Sequence, residues 1–449
     1  MNDSRAYRLL RLKMEWLSLA RFMVQELAGR PSEPDDDYYF DEPEETAQTS
    51  EPMGLIPRSM AGLGINGQAI GSGALEYNDA DRVYRAFDAS QPVNDPAALR
   101  GRETHLSALL AGVLLRRNHG IIAGPRGSGK TSLVRSFGQS IDRDGIIVLY
   151  AACDDGTNFG DLMREYLQQI PDSSLDSEHV LDFRERVRTL TADATPNQVT
   201  GLLSQITYSQ VIIICDEFDR VTQADLQWKT SSLLKLLSDA RIPVRFMLVG
   251  DGSAFETIIR GHSSLSRHIT LVRTDPLDQS AMIDLLNDCA MRCGLTFSPE
   301  GLRLIQDVAC GSPYHARLFG LHAAIQALCG YNRSIGVEEV LDGLRSAFDE
   351  WAKLNVPASD AILAIASGFH GDPATFVGIA RSVIEATGDF GDGAQVSLTP
   401  AQQIALAPAL EPIKGAVRFR DPIAPQFLIA KCALVVANET SVKKGRTSA

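Results

Sequence analysis

The chain has 449 residues, of which 44% are hydrophobic and 22% are charged. This length corresponds to about two to four domains, and the apolar fraction suffices for real cores, which excludes a chain disordered throughout, a collagen-like fibre and a disulfide-stabilised miniprotein. The formal net charge is −13, but nine of the 56 acidic residues lie between Pro31 and Pro57, where there is no Lys or Arg. The net charge therefore describes this segment and says little for or against nucleic acid as a partner.

Residues 5–27 have the periodicity of an amphipathic helix. Six apolar residues recur every three or four positions on one face, namely Leu9, Leu12, Trp16, Leu19, Met23 and Leu27. Charged residues interrupt this run too often for a signal peptide. We predict an N-terminal helix over residues 1–29, which binds the folded body of the same chain, a second copy or an unidentified protein partner. Residues 30–75, acidic and then rich in glycine, are predicted to be a flexible linker.

Residues 76–276 are predicted to form an α/β domain with a parallel five-stranded sheet flanked by helices. From about residue 97, short β-branched runs alternate with helical stretches, which is typical of such a sheet. The predicted strands are 120–123, 146–151, 211–215, 244–249 and 268–272. The predicted helices are 103–115, 131–141, 158–169, 198–206 and 226–240.

The strongest motif lies between the first predicted strand and the next helix. Residues 124–131 read Gly-Pro-Arg-Gly-Ser-Gly-Lys-Thr, the G-x-x-x-x-G-K-[ST] pattern of a phosphate-binding loop. Glycines let successive backbone N–H groups surround phosphates, and the N-terminus of the helix adds partial positive charge. Lys130 is predicted to bridge the β- and γ-phosphates, and the Thr131 hydroxyl to bind Mg²⁺. The nucleotide-binding residues predicted here are Gly124, Pro125, Arg126, Gly127, Ser128, Gly129, Lys130, Thr131 and Ser132.

A second motif follows a wholly apolar strand. Residues 211–214 are Val-Ile-Ile-Ile, and Asp216 and Glu217 come at the carboxyl end of this strand, where open α/β sheets place ligands. Asp216 is predicted to bind Mg²⁺ through water, and Glu217 to act as the general base that orients and polarises the attacking water. Such a strand alone is often just a strand that enters a loop. Together with the phosphate-binding loop it predicts a hydrolase.

The β-branched runs stop after Pro276. Four helical stretches near 279–293, 299–309, 313–329 and 337–353 predict an all-helical domain over residues 277–354. Residues 355–437 combine three short helices, an alternating segment at 416–420 and a final helix from 424. Residues 438–449 are predicted to be a flexible tail.

Cysteine usage and hydropathy bear on the location of the protein. The seven cysteines are odd in number, scattered and mostly within apolar runs, which favours a reducing, cytoplasmic compartment. Cys289 and Cys293 are predicted to be core residues, because no histidine nearby has ligand spacing. No apolar stretch approaches 18 residues, so we predict no membrane span.

These motifs and their surroundings resemble AAA+ ATPases, closest to the branch of origin-recognition and Cdc6-like proteins and the related STAND ATPases. Three further segments carry the resemblance: the Gly101-Arg102-Glu103 box, the strand that runs from Arg245 to Ser253, and the Gly311-Ser312-Pro313 opening of a lid helix. The resemblance covers residues 97–352 and implies ATP with Mg²⁺, an adenine over a guanine nucleotide, and a helical lid over the bound nucleotide.

The resemblance also implies roles for four residues. Either Asp251 or Ser253 is expected to hold the lytic water, the sensor-1 role. Arg267 stands where AAA+ proteins carry an arginine finger, which acts on a neighbouring subunit and so implies a homo-oligomer; alternatively it is a surface arginine beside a buried strand. Arg317 is at about the sensor-2 position, from which a lid arginine contacts the γ-phosphate.

Residues 417–428 resemble the end of the winged-helix domain that follows the lid in these families and contacts DNA in origin-recognition proteins. The helix at the recognition position, 399–410, contains no Lys or Arg, whereas duplex binding normally uses several phosphate-contacting cations. The alternative is a basic strip on the wing and tail, formed by Lys414, Arg418, Arg420, Lys431, Lys443, Lys444 and Arg446. A winged helix used for protein contacts or packing is the favoured interpretation.

Three functions follow from the sequence. The first is a molecular switch that couples Mg-ATP hydrolysis to movement of the lid and to partner or subunit interactions. The second is a DNA-associated ATPase of the initiator or transposition-regulator kind, and the third is a nucleotide-binding scaffold with little turnover. No Gly-x-Ser-x-Gly elbow, His-Glu-x-x-His pair or Cys-x-x-Cys pair is present in the sequence to suggest another catalytic class.

Overall fold

The fold is known from a computed structural model. It describes residues 77–141, 145–252, 255, 258–259, 264–368, 372–387, 398–413 and 416–447. The predicted N-terminal helix and linker lie outside these residues. Within the described residues, no helix is both long enough and apolar enough to cross a membrane.

A parallel five-stranded sheet forms the first part of the described chain, as predicted. Its strands are β1 (His119–Ala123), β2 (Ile146–Ala152), β3 (Gln210–Asp216), β4 (Val244–Gly250) and β5 (Ile269–Arg273), in the spatial order β2-β3-β4-β1-β5. The central strands β3 and β4 are buried along almost their whole length, and most of their residues are apolar, because both faces of a parallel sheet are covered by helices. The carboxyl ends of β1, β3 and β4 therefore meet at one edge of the sheet.

Helices cover both faces of the sheet. One face packs on α2 (Glu103–Leu109), which continues as a π-helix over Leu110–Leu115, and on α3 (Lys130–Ile141). The other face packs on α4 (Phe159–Gln168), α5 (Val180–Arg188), α6 (Pro196–Leu203) and α7 (Ala224–Asp239). The sequence missed α5, because only Phe183 and Val187 of its nine residues are buried.

The π-helical turn departs from the single regular helix predicted over 103–115. Gly112 lies against β5 there, so closely that a Cβ atom would lie 2.2 Å from Oγ1 of Thr270. Residue type at 112 is thus set by the close approach of the helix backbone to the Thr270 side chain.

The next part is helical, as predicted, apart from one small parallel sheet. Its helices are α8 (Gln279–Arg292), α9 (Pro299–Ala309), α10 (Pro313–Cys329) and α11 (Val337–Leu354), and the sheet joins β6 (Thr296–Phe297) to β7 (Ser334–Ile335). The helix α1 (Tyr77–Ala86) precedes the α/β domain in the chain but shares the core of this helical part through Val83, Ala86 and Phe87. The predicted α/β domain, which begins at residue 76, therefore includes a helix whose apolar residues belong to the core of the helical part.

The last part continues the same hydrophobic core. It comprises α12 (Val356–Ala366), α13 (Pro373–Thr387), α14 (Pro400–Leu406), the antiparallel hairpin β8 (Leu410–Ile413) and β9 (Ala416–Phe419), and α15 (Ala424–Thr447). Trp351 of α11 stacks on Phe427 of α15 with ring centroids 4.7 Å apart, and its Nε1 donates to Oδ2 of Asp421 at 2.8 Å. Three helices and a hairpin before a final helix fit the predicted winged-helix-like domain. The segment predicted to be a flexible tail from residue 438 is helical as far as Thr447, where α15 ends.

Candidate functional site

The phosphate-binding loop joins β1 to α3 at the carboxyl edge of the sheet. Gly127 and Gly129 have positive φ angles of 81° and 88°, which only glycine adopts without cost. Nζ of Lys130 donates to the carbonyl oxygens of Gly124 and Pro125 at 2.9 and 3.1 Å. Burial lowers the pKa of this lysine, and nearby carboxylates act in the opposite direction. In the loop the partly buried Lys130 ammonium thus bonds to carbonyl groups of the loop itself, at the position where phosphates would bind.

Arg102 of the Gly-Arg-Glu box anchors the phosphate-binding loop through hydrogen bonds to backbone carbonyl groups. Its Nη2 donates to the carbonyl oxygen of Ser128 at 3.0 Å and to that of Asp275 at 2.6 Å. The guanidinium is buried, which lowers the pKa of Arg102 to about 10. Oγ of Ser128 also lies 2.6 Å from Oγ1 of Thr274, so the loop is bonded to the segment that leaves β5.

The acidic strand β3 ends beside the loop. Asp216 is buried, and its carboxylate accepts from the Tyr150 hydroxyl at 2.6 Å and from the Glu217 amide at 2.9 Å. Glu217 has a φ of 54°, a left-handed conformation that is costly for a residue with a Cβ and that recurs at functional sites. Its half-exposed carboxylate lies 2.9 Å from Nε of Arg220. The strand therefore presents one fixed, buried carboxylate and one accessible carboxylate.

Asp219 is a site residue that the sequence reasoning missed. Its Oδ1 accepts from the backbone N–H of Asp251 at 3.2 Å, which links the turn after β3 to the end of β4. A Cβ on Gly250 would lie 2.5 Å from the same oxygen, so this approach requires glycine. The signal was present, because Asp219 follows Asp216 by three residues at the same edge of the sheet. Asp251 of the predicted sensor-1 pair lies here, whereas Ser253 lies outside the described residues.

A cleft of about 830 Å³ opens above this edge. Its walls combine the phosphate-binding loop, the acids at the ends of β3 and β4, the start of α10 and Arg317, and part of the C-terminal region. A volume of this size is typical of a small-molecule site. Arg267 does not line the cleft and lies exposed in the turn Leu265–His268, so its finger role remains a prediction that needs a second copy of the chain.

The first turn of α10 sits directly on the phosphate-binding loop. The Tyr314 N–H and the Ser312 hydroxyl each approach the Gly127 carbonyl oxygen to 3.4 Å. Ser312 is also the N-cap of α10, and its Oγ lies 2.9 Å from Nδ1 of His315. Nε2 of His315 lies 3.2 Å from the carbonyl oxygen of Ile423 in the C-terminal region. Burial lowers the pKa of His315 to about 3, so the ring is neutral.

Arg317 also stands on α10, one turn beyond Tyr314. Its Nη1 donates to the carbonyl oxygen of Asp88 at 3.2 Å, and the residue lines the cleft. The lid arginine predicted from the resemblance is thus beside the site, where its role toward a γ-phosphate stays a prediction.

Two side chains fit Mg²⁺ by their chemistry. Thr131 and Asp216 both line the cleft and offer the hard oxygen donors that this cation prefers. The two hydrogen bonds to the Asp216 carboxylate come from neutral donors, so neither of them forms an ion pair that would compete with a cation. No group of three His, Cys, Asp or Glu side chains suited to a metal occurs in the described residues. Mg²⁺ does not require one, because it usually takes one or two carboxylates with waters and substrate phosphates.

Some cations of the alternative basic strip contact other groups of the same chain. Arg418 pairs with Glu411, and both Arg418 and Arg420 line the cleft. Nζ of Lys431 lies 4.7 Å above the ring of Phe348. The side chains of the other four cations are outside the described part of the chain. The helix α14 at the recognition position has no basic residue.

The fold and the cleft define a P-loop nucleotide-binding protein. Residues 98–249 match the family described as the AAA ATPase domain. That match confirms the resemblance drawn from the phosphate-binding loop and the acidic strand. No curated protein matches the chain significantly.

Several solved structures are similar to this chain at low identity. A Walker-type ATPase of Pyrococcus abyssi is 15% identical, with a TM-score of 0.45, and the match covers 77% of this chain and 99% of that one. The RuvB Holliday junction branch migration motor of Thermotoga maritima is 15% identical, with a TM-score of 0.40 and 73% and 95% covered. Cdc6p from Pyrobaculum aerophilum is 14% identical, with a TM-score of 0.41 and 79% and 98% covered.

Proposed function

We propose that the protein is an ATP-binding and ATP-hydrolysing molecular switch whose helical lid responds to the nucleotide. The contact of the first turn of α10 with Gly127 carries this proposal. Because the lid helix touches the same loop that receives the phosphates, any change in that loop reaches the lid directly.

The proposed binding step begins at the loop. Phosphate oxygens accept from the backbone N–H groups of residues 124–131, and the Lys130 ammonium exchanges the Gly124 and Pro125 carbonyl oxygens for the β- and γ-phosphates. Thr131 and Asp216 would hold a magnesium ion, which would supply positive charge at those phosphates. The triphosphate thus gives anionic partners to a partly buried ammonium whose hydrogen bonds otherwise go to neutral carbonyl groups.

The proposed chemical step is the attack of water on the γ-phosphorus. Glu217 orients the water and takes its proton, the bond from the γ-phosphorus to the bridging oxygen breaks, and ADP and phosphate leave. Glu217 can serve because its carboxylate is accessible; its ion pair with Arg220 is half-exposed and is therefore cheap to open. The hydrogen bond from the Asp251 N–H to the Asp219 carboxylate holds the end of β4 against the turn after β3.

The lid response uses groups on one helix. Ser312 and Tyr314 contact the loop, and Arg317 stands beside the cleft. We assign Arg317 to the γ-phosphate, so that hydrolysis removes its contact and changes the angle of the lid.

The test separates binding from turnover. Titration with a fluorescent ATP analogue should give saturable binding that Lys130→Ala abolishes and Glu217→Gln retains. Steady-state phosphate release should fall at least a hundredfold in Glu217→Gln, with Glu178→Gln, an exposed glutamate remote from the cleft, as the matched control. Hydrolysis by Glu217→Gln at the rate of the unmodified protein would contradict the base role. Bound ATP that stays intact for hours in the unmodified protein would favour a scaffold.

The intersubunit part of the proposal rests on Arg267. Specific activity should rise with protein concentration, and Arg267→Ala should lower it without lowering ATP affinity, because a finger acts on charge that develops during the reaction. Activity that is indifferent both to dilution and to this substitution would remove the neighbouring copy from the mechanism.

A further inference from the structure

Tyr150 reaches the acidic strand from the neighbouring strand β2. In the parallel pairing of β2 with β3, Tyr150 lies opposite Ile214, and both side chains are on the face that α3 covers. Asp216 follows Ile214 by two residues and so points to the same face, about 6.6 Å further along the strand. The phenol spans this separation, and its hydroxyl donates to Oδ2 of Asp216 at 2.6 Å.

The hydrogen bonds fix the carboxylate at both oxygens. Oδ1 accepts from the Glu217 amide and Oδ2 from the Tyr150 hydroxyl. An ionised carboxylate accepts about four hydrogen bonds or ligand contacts, so capacity remains on the side that lines the cleft. The two neutral donors therefore set the orientation of Asp216 without neutralising its charge.

Tyr150 is itself held by the helix that follows the phosphate-binding loop. The guanidinium of Arg135, on α3, lies 4.9 Å from the centre of the Tyr150 ring. Burial and the bond to Asp216 raise the pKa of Tyr150 to about 12, so its hydroxyl remains a donor at neutral pH. The tyrosine thus joins the helix that begins with Lys130 and Thr131 to the strand that ends with Asp216.

We propose that Tyr150 is a positioning residue for the metal, which orients the Asp216 carboxylate toward Mg²⁺ and couples it to the helix that carries Thr131. This inference rests on the proposed role of Asp216. Partners of this kind are typically worth about 10- to 100-fold in metal affinity.

The test measures metal binding directly. Mn²⁺, a paramagnetic substitute for Mg²⁺, is titrated into the full chain with bound ADP and followed by electron paramagnetic resonance. Tyr150→Phe keeps the ring and removes the hydroxyl, and it should weaken Mn²⁺ binding about tenfold while leaving ADP affinity in EDTA unchanged. Circular dichroism and the thermal midpoint verify that the variant folds.

Tyr166→Phe is the matched control. The Tyr166 hydroxyl donates to the carbonyl oxygen of Ile214 at 2.8 Å from the opposite face of β3, so this variant removes a buried bond to the same strand without touching Asp216. It should bind Mn²⁺ like the unmodified protein. An equal loss in Tyr166→Phe and Tyr150→Phe would reduce Tyr150 to a general support of the strand and overturn the proposal.

Asp216→Asn separates the two levels of the inference. If Asp216→Asn weakens Mn²⁺ binding and Tyr150→Phe does not, the role of Tyr150 is wrong and that of Asp216 stands. If Asp216→Asn leaves Mn²⁺ binding intact, the proposed metal site itself fails. In the double variant, Tyr150→Phe should add nothing further, because its effect passes through a carboxylate that is no longer there.

Discussion

His119 makes the stability of the α/β domain sensitive to mild acid. It opens β1 and is completely buried, with Nδ1 accepting from the Phe246 N–H at 3.0 Å. Nε2 then carries the ring proton, which it donates to the Leu234 carbonyl oxygen at 3.0 Å. A second proton on Nδ1 would face an N–H group in an apolar core. Burial, with a smaller effect of Arg245, accordingly lowers the pKa of His119 to about 3.

The size of the effect follows from this pKa. An unfolded chain binds a proton at an imidazole with a pKa of about 6.5, whereas the folded chain does not do so until near 3. The stability contribution is therefore complete above pH 6.5 and is lost as the pH falls toward 3. Between pH 8 and pH 5 the loss is about 2 kcal/mol for this one group.

The assay compares urea unfolding of the unmodified protein and of His119→Gln at pH 8 and pH 5. The unmodified protein should lose about 2 kcal/mol more than the variant between the two values, because all other titrating groups cancel in the difference. His179→Gln controls for removal of an exposed histidine. Equal losses in the unmodified protein and His119→Gln would show that His119 is protonated in the folded state and would refute the reasoning.

Three further predictions concern packing and the loop. Gly101 has a φ of 69°, and a Cβ there would lie 2.4 Å from Cβ of Ala281, so Gly101→Ala should lower the free energy of unfolding by at least about 2 kcal/mol; an unchanged thermal midpoint would contradict this. Trp351→Phe removes the donor to Asp421 and should cost about 1–3 kcal/mol in urea unfolding, and a neutral result would mean that water replaces the indole. Arg102→Met removes the support of the loop and should raise the Kd for ATP about tenfold by fluorescence titration, whereas an unchanged Kd would assign the arginine to folding alone.

The sequence predicted the parts of the site that are local in the chain. The loop at 124–131 and the acids at 216 and 217 each stand in one continuous segment, where strand, turn and helix signals agree, and the five strands were found within about two residues for the same reason.

The parts it missed depend on contacts between distant segments. Tyr150 meets Asp216 only through the register of β2 on β3, and His315 meets Ile423 only once α10 has packed on the C-terminal region. Likewise, the sequence of α1 does not indicate which core the helix joins. In the structure, Phe87 after this helix packs against Gly320, over 200 residues away. Periodicity identifies an element, but the partner is chosen by tertiary packing.

The hydroxyl of Ser312 has one proton and two acceptors within reach. If Nε2 of His315 donates to Ile423, Nδ1 is a lone pair and takes the serine proton, and the Gly127 carbonyl group receives none from it. If the ring proton moves to Nδ1, the serine proton is released to Gly127, and the Ile423 carbonyl group then faces a lone pair. The tautomer of a single imidazole thus decides whether a side chain at the start of the lid helix bonds Ile423, through His315, or Gly127, through Ser312, without any change in net charge, while the Tyr314 N–H contacts Gly127 in both cases.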